Sequence, residues 1–272
     1  MTKAYVHGYE VRENERLQDQ AGTLVELLHA DTHYPPGSLV LEAGCGVGAQ
    51  TLTLAGRSAD ARFVSVDVSA ESVGLAAQRA RDAGITNVEF QQGDIFALPF
   101  QAASFDHVFV CFVLEHLAQP VEALAALRTL LKPGGSLTLI EGDHGSAYFH
   151  PRSEAADAAI ACQVELQRAA GGNALIGREV FPLLIAAGLE SVGVSARTVY
   201  VDGSRPELIE GFTRRTFTAM IEGVREPAVA AGLIGPERFD QGVRDLYRTA
   251  EPDGVFCYTF FKGVGREPLT SG

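Results

Sequence analysis

The sequence predicts a doubly wound α/β fold, in which a mostly parallel sheet carries helices on both faces. In the stretch Leu39–Gly48, a short apolar run leads to an acid and then to three glycines at alternate positions. Such a run is typical of a strand, and the glycines allow a tight turn that opens a helix and lets a ligand approach the backbone. Strand-like and helix-like segments then alternate as far as residue 141, which favours parallel pairing through right-handed crossovers.

The alternation can be followed along the chain. After the first strand, apolar runs or alternating apolar residues predict strands at Phe63–Asp67, Asn87–Gln92, Phe105–Cys111, Ser136–Glu141, Ser191–Val201 and Val255–Lys262. Helical spacing predicts helices at Leu17–His29, Ala70–Ala83, Pro120–Leu131, Glu154–Ala170, Arg178–Ala187, Pro206–Gly223 and Glu237–Thr249, besides the one that follows the glycines. The last strand comes after a long helical excursion, and we expect it to join the same sheet.

Composition narrows the classes of protein that the chain can represent. It has 272 residues, of which 46% are hydrophobic and 21% charged, so it can bury a large core. The net charge of −12 disfavours nucleic acid or an anionic membrane as a partner. Neither a membrane span nor a signal peptide is evident. The four cysteines are far apart and form no CxxC pair, so no metal site is expected and a cytoplasmic enzyme is the default.

Two ligands compete for the glycine turn. Gly44-x-Gly46-x-x-Ala49 satisfies the dinucleotide fingerprint, and an acid follows at about the expected distance. Glu42, two residues before the first glycine, decides between them. Its carboxylate would repel a pyrophosphate by about 1 kcal/mol or more near a surface, whereas it would attract an α-ammonium group. S-adenosylmethionine carries that ammonium and no phosphate.

Several further motifs carry a resemblance to a known family. Val40–Gly48 resembles the first motif of class I S-adenosylmethionine-dependent methyltransferases. Val66-Asp67 and Gly93-Asp94-Ile95 resemble that family's ribose-binding and adenine-binding acids, while Ser104–His116 and Leu131–Leu137 resemble its two later motifs. The motifs occur in the family's order. The resemblance implies a seven-stranded Rossmann-like sheet with the last strand antiparallel, which suits the late strand predicted at Val255–Lys262.

The resemblance also implies a role for each matching residue toward S-adenosylmethionine. Gly44, Gly46 and Gly48 would leave room for the methionine portion, with Glu42 near its ammonium. Asp67 would accept from both ribose hydroxyls, and Asp94 from the adenine amine. The remaining positions would line the cofactor: Val68 and Ile95 on the faces of the adenine, and Cys111 and Phe112 beside the methionine.

On this basis we divide the chain into three segments. Residues 1–37 would form an N-terminal helical segment that covers the cofactor, and residues 38–141 the S-adenosylmethionine-binding core. Residues 142–272 would complete the sheet. They would also carry helical insertions, at about 142–177 and 202–252, that cap the site where the substrate binds. Whether the protein is a homodimer stays open.

The acceptor side is predicted from position alone. The segment Glu141–His150 follows the fifth strand, and we expect it to be a loop at the ligand mouth. It offers a base for an acceptor that must lose a proton, namely His144 held by a nearby carboxylate. The catalytic candidates of this segment are Glu141, Asp143, His144, Tyr148 and His150.

The substrate is predicted at the level of its class. The segments Ile140–Ser146 and Cys257–Gly263 resemble those of a subset of the family that acts on small molecules. This subset includes bacterial indole C3-methyltransferases of alkaloid biosynthesis. The resemblance therefore implies a small-molecule methyltransferase of secondary metabolism, with C-methylation of an indole or another aromatic acceptor as the first hypothesis. The alternatives are a quinone or lipid-like acceptor and, in another class, an NAD-dependent oxidoreductase.

Overall fold

The computed structural model describes residues 22–269, and the chain divides into two compact units. The first, which we call the sheet unit, holds residues 25–141, 176–197 and 261–269 of the described chain. The second, the helical unit, holds residues 22–24, 142–175 and 198–260. Residues 1–21, which include much of the segment predicted to cover the cofactor, lie outside the described residues.

A seven-stranded sheet runs through the fold. Its strands are β1 Leu39–Ala43, β2 Arg62–Asp67, β3 Val88–Gln92, β4 Phe105–Cys111, β5 Leu131–His150, β6 Glu190–Val201 and β7 Val255–Arg266. They are ordered β3-β2-β1-β4-β5-β7-β6, with the last strand of the chain, β7, antiparallel. The predicted fold class, a doubly wound Rossmann-like sheet, is confirmed.

The centre of the sheet locates the ligand side. β1 pairs in parallel with β2 on one side and with β4 on the other, so the order of the strands reverses between β1 and β4. Ligands of doubly wound folds bind beyond the carboxyl ends of the strands at this switch point. β1 and β4 are apolar almost throughout because both faces of the sheet are covered, and Val40, Leu41 and Val108 are fully buried.

The helices follow the predicted order. They are α1 at residues 22–29, α2 Thr51–Arg57, α3 Ala70–Asp82, α4 Pro120–Arg128, α5 Glu154–Ala169, α6 Val180–Ala186, α7 Pro206–Leu208, α8 Ala219–Gly223, α9 Arg225–Ala230 and α10 Pro236–Arg248. Short 3₁₀ turns occur at Ile95–Ala97, Leu114–His116 and Ile176–Glu179. Local chemistry explains where two of these helices begin. The Ser69 hydroxyl accepts the amide of Ser72 at the beginning of α3, and α4 begins with Pro120.

The segment after Glu141 departs from the prediction. We expected a loop at residues 142–150, but β5 continues without a break to His150. The polar residues there made the segment look like a loop. A strand can nevertheless hold them, because its side chains point alternately to opposite faces. The predicted loop is wrong, and this changes how the catalytic candidates are arranged.

The helical unit contains an uncommon element. Between α7 and α8 the chain forms a π-helix over Ile209–Thr218, where we had predicted one continuous helix. The wider winding is visible at the end of this element, where the backbone amide of Ala219 donates to the carbonyl of Arg214, five residues earlier. π-helical turns are rare and frequently occur at functional sites.

Residues 22–269 contain neither a membrane-spanning helix nor a cluster of metal-binding side chains. No helix in this range has the length and apolar composition needed to cross a membrane. Nor does the range contain a group of three or more His, Cys, Asp or Glu residues placed to hold a metal ion.

Candidate active site

The three glycines of the turn after β1 have positive φ angles for different reasons. A Cβ on Gly44 (φ +81°) would lie 2.3 Å from Cγ2 of Val113, and one on Gly48 (φ +80°) would lie 3.0 Å from the Cβ of Ala76 in α3. Both glycines therefore allow close packing of protein against protein. Gly46 (φ +50°) differs, because no atom of residues 22–269 lies within 4 Å of the place where its Cβ would be. Within this part of the chain, the backbone at Gly46 faces space that a ligand can enter.

Glu42 lies beneath this turn and is 2% exposed. Its Oε2 accepts hydrogen bonds from the hydroxyls of Thr51 and Ser65, both at 2.6 Å. Burial raises the pKa of Glu42 to about 6, although the two hydroxyls oppose the shift and nearby Asp67 adds to it. The acid predicted to face the ammonium is therefore held rigidly and close to its titration range.

Asp67 ends β2 beside the turn. Its Oδ2 accepts the amide of Gly46 at 2.8 Å, and its Oδ1 accepts the amide of Ser69 at 2.9 Å. Each oxygen of an ionised carboxylate can accept about two hydrogen bonds. Both oxygens of Asp67 therefore keep acceptor capacity for a vicinal pair of hydroxyls, as the ribose prediction requires.

The predicted adenine-binding residues lie at the ends of β2 and β3. Asp94 is exposed, and its Oδ1 accepts the amide of Phe96 at 3.0 Å at the start of a 3₁₀ turn. Ile95 is half-buried, whereas 53% of Val68 is exposed. An apolar side chain so open to solvent is available to cover the face of a flat ligand.

Cys111 and Phe112 follow at the end of β4. The Cys111 thiol is buried, and burial, together with the nearby acids Glu141 and Glu42, raises its pKa well above the usual range. It therefore remains a neutral thiol that can pack against an apolar chain. Phe112 has a φ of +56°, a backbone conformation that is unusual for a bulky residue and tends to cluster at functional sites.

Glu141 is placed differently from the other candidates of its segment. The side chain is fully buried, and its Oε1 accepts the amides of Val113 at 3.0 Å and Leu114 at 2.8 Å. Burial, followed by the charge of Glu115, raises its pKa well above the usual range. The carboxyl group thus holds the turn after β4, which favours a structural role over the predicted catalytic one.

His144 and Asp143 lie on opposite faces of β5. They are consecutive residues of β5, and consecutive side chains of a strand point to opposite faces. The Oδ1 of Asp143 accepts the amide of Gly145 at 2.9 Å. His144 is 6% exposed, and its Nδ1 lies 2.9 Å from the phenol oxygen of Tyr258 in β7. Tyr258 is thus one neighbour of the His144 ring, and a carboxylate that orients this ring stays a prediction.

Tyr148 and His150 lie farther along the same strand, toward its end. Both are exposed, Tyr148 to 59%. The structure therefore separates the five candidates: Glu141 and His144 are buried in different units, while these two face solvent. A catalytic role for Tyr148 or His150 stays a prediction.

Aromatic side chains surround His144 in the helical unit. Its ring centroid lies 6.2 Å from that of Phe217 and 5.8 Å from that of Tyr258. Phe217 and Phe212, five residues apart in the π-helix, both contact Tyr258 and Phe256. Two residues five apart share a face because of the π winding. We call this group the aromatic cluster: His144, Phe212, Phe217, Phe256, Tyr258 and Phe260.

Comparison with known proteins agrees with the geometry of the turn. Residues 41–139 match the family model described as a methyltransferase domain. The chain carries a class I S-adenosylmethionine-dependent methyltransferase domain. The family resemblance seen in the motifs is confirmed.

Relatives of this methyltransferase domain are moderately similar. A transposon-borne 37.1 kDa protein of Streptomyces fradiae is 34% identical over 200 residues, which are 72% of this chain and 56% of that protein. A demethylmenaquinone methyltransferase of Renibacterium salmoninarum is 34% identical over 109 residues, which are 40% of this chain and 43% of the enzyme. The chain thus spans about half the length, or less, of these curated relatives.

Solved structures share the fold of the domain. The YcgJ protein of Bacillus subtilis has a TM-score of 0.57 at 19% identity, with 95% of this chain and 100% of that chain covered. The [4+2]-cyclase SpnF has a TM-score of 0.54 at 20% identity, with 93% of this chain and 82% of that chain covered. At such identities the likeness shows the fold alone, and function has to be argued from the site.

The residues of the methyltransferase domain fit S-adenosylmethionine. The space beside Gly46, which holds no atom of residues 22–269, would take the methionine portion. Asp67 retains acceptor capacity on both oxygens, and buried Glu42 adds negative charge to a site that would hold a cationic ligand. The same acids would oppose a pyrophosphate.

Sequence reasoning missed the role of two residues near His144. They are Tyr258 and Gly142, to which no motif assigned a role. A signal for Tyr258 was present: it alternates with Phe256 and Phe260 in a buried strand, and a buried tyrosine usually finds a hydrogen-bond partner for its hydroxyl. That the partner is His144 could not be read from the pattern.

Proposed function

We propose that the protein transfers a methyl group from S-adenosylmethionine to a small aromatic acceptor, and that His144 takes the proton the acceptor loses. The observation that carries this proposal is a nearly buried imidazole among aromatic rings, 6% exposed. The neutral imidazole of a histidine can act as a base toward an acceptor that has an N–H or O–H group.

Methyl transfer requires two things of the protein: correct positioning of the reactants and a base for the proton that the acceptor loses. S-adenosylmethionine supplies a methyl carbon on a sulfonium, and the bonding electrons stay on sulfur when that carbon leaves. Orientation and exclusion of water supply much of the rate enhancement of such a displacement. The aromatic cluster would hold the acceptor flat, and the His144 imidazole would receive the proton as the new bond to carbon forms.

An indole is the first acceptor to test. Its flat ring suits the offset and edge-on contacts that aromatic side chains make, and its N–H is a proton that a base can remove while the ring carbon is methylated. A quinone-like acceptor is the second, supported by the similarity to a demethylmenaquinone methyltransferase. That match spans 40% of the chain, so it carries less weight on the acceptor than the side chains of the helical unit.

The test measures transfer of labelled methyl from S-adenosylmethionine to a panel of an indole, a phenol, an aromatic amine and a reduced quinone. We expect turnover with an aromatic acceptor, and a fall of roughly 10²–10⁴-fold in His144→Ala with unchanged affinity for S-adenosylhomocysteine. His33→Ala, at an exposed histidine, is the matched control and should behave like the wild type. If His144→Ala turned over normally, or lost the cofactor, the base assignment would fail.

A further inference from the structure

We propose that Tyr258 is a positioning residue for His144: its phenol oxygen accepts the Nδ1–H of the imidazole, so that Nε2 carries the lone pair that takes a proton. The inference rests on the proposed function, because the tautomer of His144 affects turnover only if His144 is the base. It goes further in naming the residue that prepares the base and the ring nitrogen that acts.

The geometry supports a specific contact. The phenol oxygen of Tyr258 and the Nδ1 of His144 are 2.9 Å apart, within hydrogen-bond range. Tyr258 is 3% exposed and His144 is 6% exposed. Water therefore competes little for this bond, and a hydrogen bond in such surroundings is stronger than one in water.

Two features of the fold place the phenol oxygen of Tyr258 beside His144. In β7, Phe256, Tyr258 and Phe260 alternate, so their side chains share one face of the strand, and the rings of Phe212 and Phe217 pack against Tyr258 at centroid distances of 5.9 Å and 5.5 Å. These contacts fix the plane of the phenol ring and leave its hydroxyl directed toward β5.

Gly142 is the second feature that places the phenol oxygen. A Cβ at this position would lie 2.4 Å from the phenol oxygen of Tyr258. The φ angle of Gly142 is not positive, so backbone conformation does not explain the glycine. The absence of a side chain two residues before His144 is what leaves room for the hydroxyl.

The contact alone is compatible with either group as the donor, and we assign the donor to Nδ1–H because only that tautomer leaves a lone pair on Nε2 for a proton. A neutral imidazole carries its proton on one nitrogen and its lone pair on the other. If Nδ1–H donates to the phenol oxygen, Nε2 has the lone pair and can accept a proton. When it does, both nitrogens carry protons, and the bond from Nδ1–H to Tyr258 is kept. In the opposite tautomer, Nε2–H is a donor and cannot act as a base.

The test is nitrogen NMR of the full-length chain labelled with ¹⁵N-histidine. The signal of His144 is identified among the seven histidines by its loss in His144→Ala. In the wild type we expect the protonated nitrogen to be Nδ1. In Tyr258→Phe we expect the signals to shift toward the Nε2–H tautomer, whereas the matched control Tyr200→Phe, at a tyrosine that is 43% exposed, should leave them unchanged.

Gly142→Ala is the second variant, because it keeps the tyrosine ring and displaces the hydroxyl. It should shift the His144 signals in the same direction as Tyr258→Phe. In both variants we also expect turnover to fall about tenfold, the effect of one hydrogen bond, with the KM for S-adenosylmethionine unchanged.

The outcomes separate the two proposals. Unaltered His144 signals in Tyr258→Phe, or a wild type protonated at Nε2, would overturn the role of Tyr258 whatever the acceptor. Normal turnover in His144→Ala would overturn the proposed base, even if the NMR result is as expected. Tautomer shifts together with lower turnover in both variants would support the inference.

Discussion

Glu42 is the residue at which the requirements of folding and binding are most clearly opposed. It is buried under the glycine turn, and burial raises its pKa to about 6 against an ordinary value of 4.5. Ionised Glu42 therefore destabilises the folded chain, while its negative charge suits a cationic cofactor. Such opposed effects are common at functional sites.

The first prediction concerns Glu42→Gln. Because the folded-state pKa is raised, the stability that this group contributes is fully present below pH 4.5 and is lost as the pH rises through 6. Gln still accepts from the hydroxyls of Thr51 and Ser65 but never ionises. We expect the variant to be more stable than the wild type by about 2 kcal/mol at pH 8, with the difference vanishing near pH 4.5.

Urea unfolding across this range of pH measures the difference. Glu89→Gln, at an exposed glutamate, is the control and should change stability little at any pH. A gain in Glu42→Gln that did not depend on pH, or that grew on acidification, would contradict the assignment of the shift to burial.

Sequence alone could place some residues and not others. The glycines and Asp67 follow apolar strands directly, so a local pattern was enough to put them at the ends of β1 and β2. The partner of His144 depends on which face of β5 each side chain occupies and on a residue more than a hundred positions away. Neither fact is local, so the contact between His144 and Tyr258 could not be predicted from the sequence.

At the scale of elements, β5 shows the same limit. The run Gly-Asp-His-Gly-Ser after Glu141 has the composition of a loop, yet it is part of a strand of 20 residues. Strand propensity depends strongly on context, and a polar stretch can be drawn into a sheet by its neighbours. The π-helix at Ile209–Thr218 was equally hidden, because its sequence has ordinary helical spacing.

The second prediction contrasts two glycines of the turn after β1. In Gly46→Ala the new Cβ meets no atom of the described residues within 4 Å, so we expect a loss of about 1–2 kcal/mol from the left-handed backbone alone. Affinity for S-adenosylhomocysteine should fall at least about tenfold, roughly 1.4 kcal/mol, because the methyl group enters the space of the ligand.

Gly44→Ala should have the opposite balance, with a larger loss of stability and a smaller loss of affinity for S-adenosylhomocysteine. Its Cβ would lie 2.3 Å from the side chain of Val113, so overpacking adds roughly 1–3 kcal/mol to the loss of stability. Thermal unfolding and calorimetry on both variants distinguish the two effects. If Gly46→Ala bound S-adenosylhomocysteine like the wild type, the cofactor would not approach the turn at this glycine.

At the scale of the whole molecule, the two units differ in how far sequence could describe them. The sheet unit holds the family motifs, and its strands were predicted because strands and helices alternate regularly there. The helical unit has no comparable repeat, and the proposed acceptor site depends on how its aromatic residues meet. The identity of the acceptor therefore has to come from its own side chains.

The measurement that most directly tests the account is calorimetric titration of the full-length chain with S-adenosylhomocysteine and, separately, with NAD. We expect S-adenosylhomocysteine to bind at one site per chain with a dissociation constant on the order of micromolar, about −8 kcal/mol, and NAD to give no binding heat. In Asp67→Ala, which removes the acceptor of the ribose hydroxyls, the affinity should drop at least about tenfold without loss of the fold. Tight binding of NAD with no response to S-adenosylhomocysteine would contradict the account.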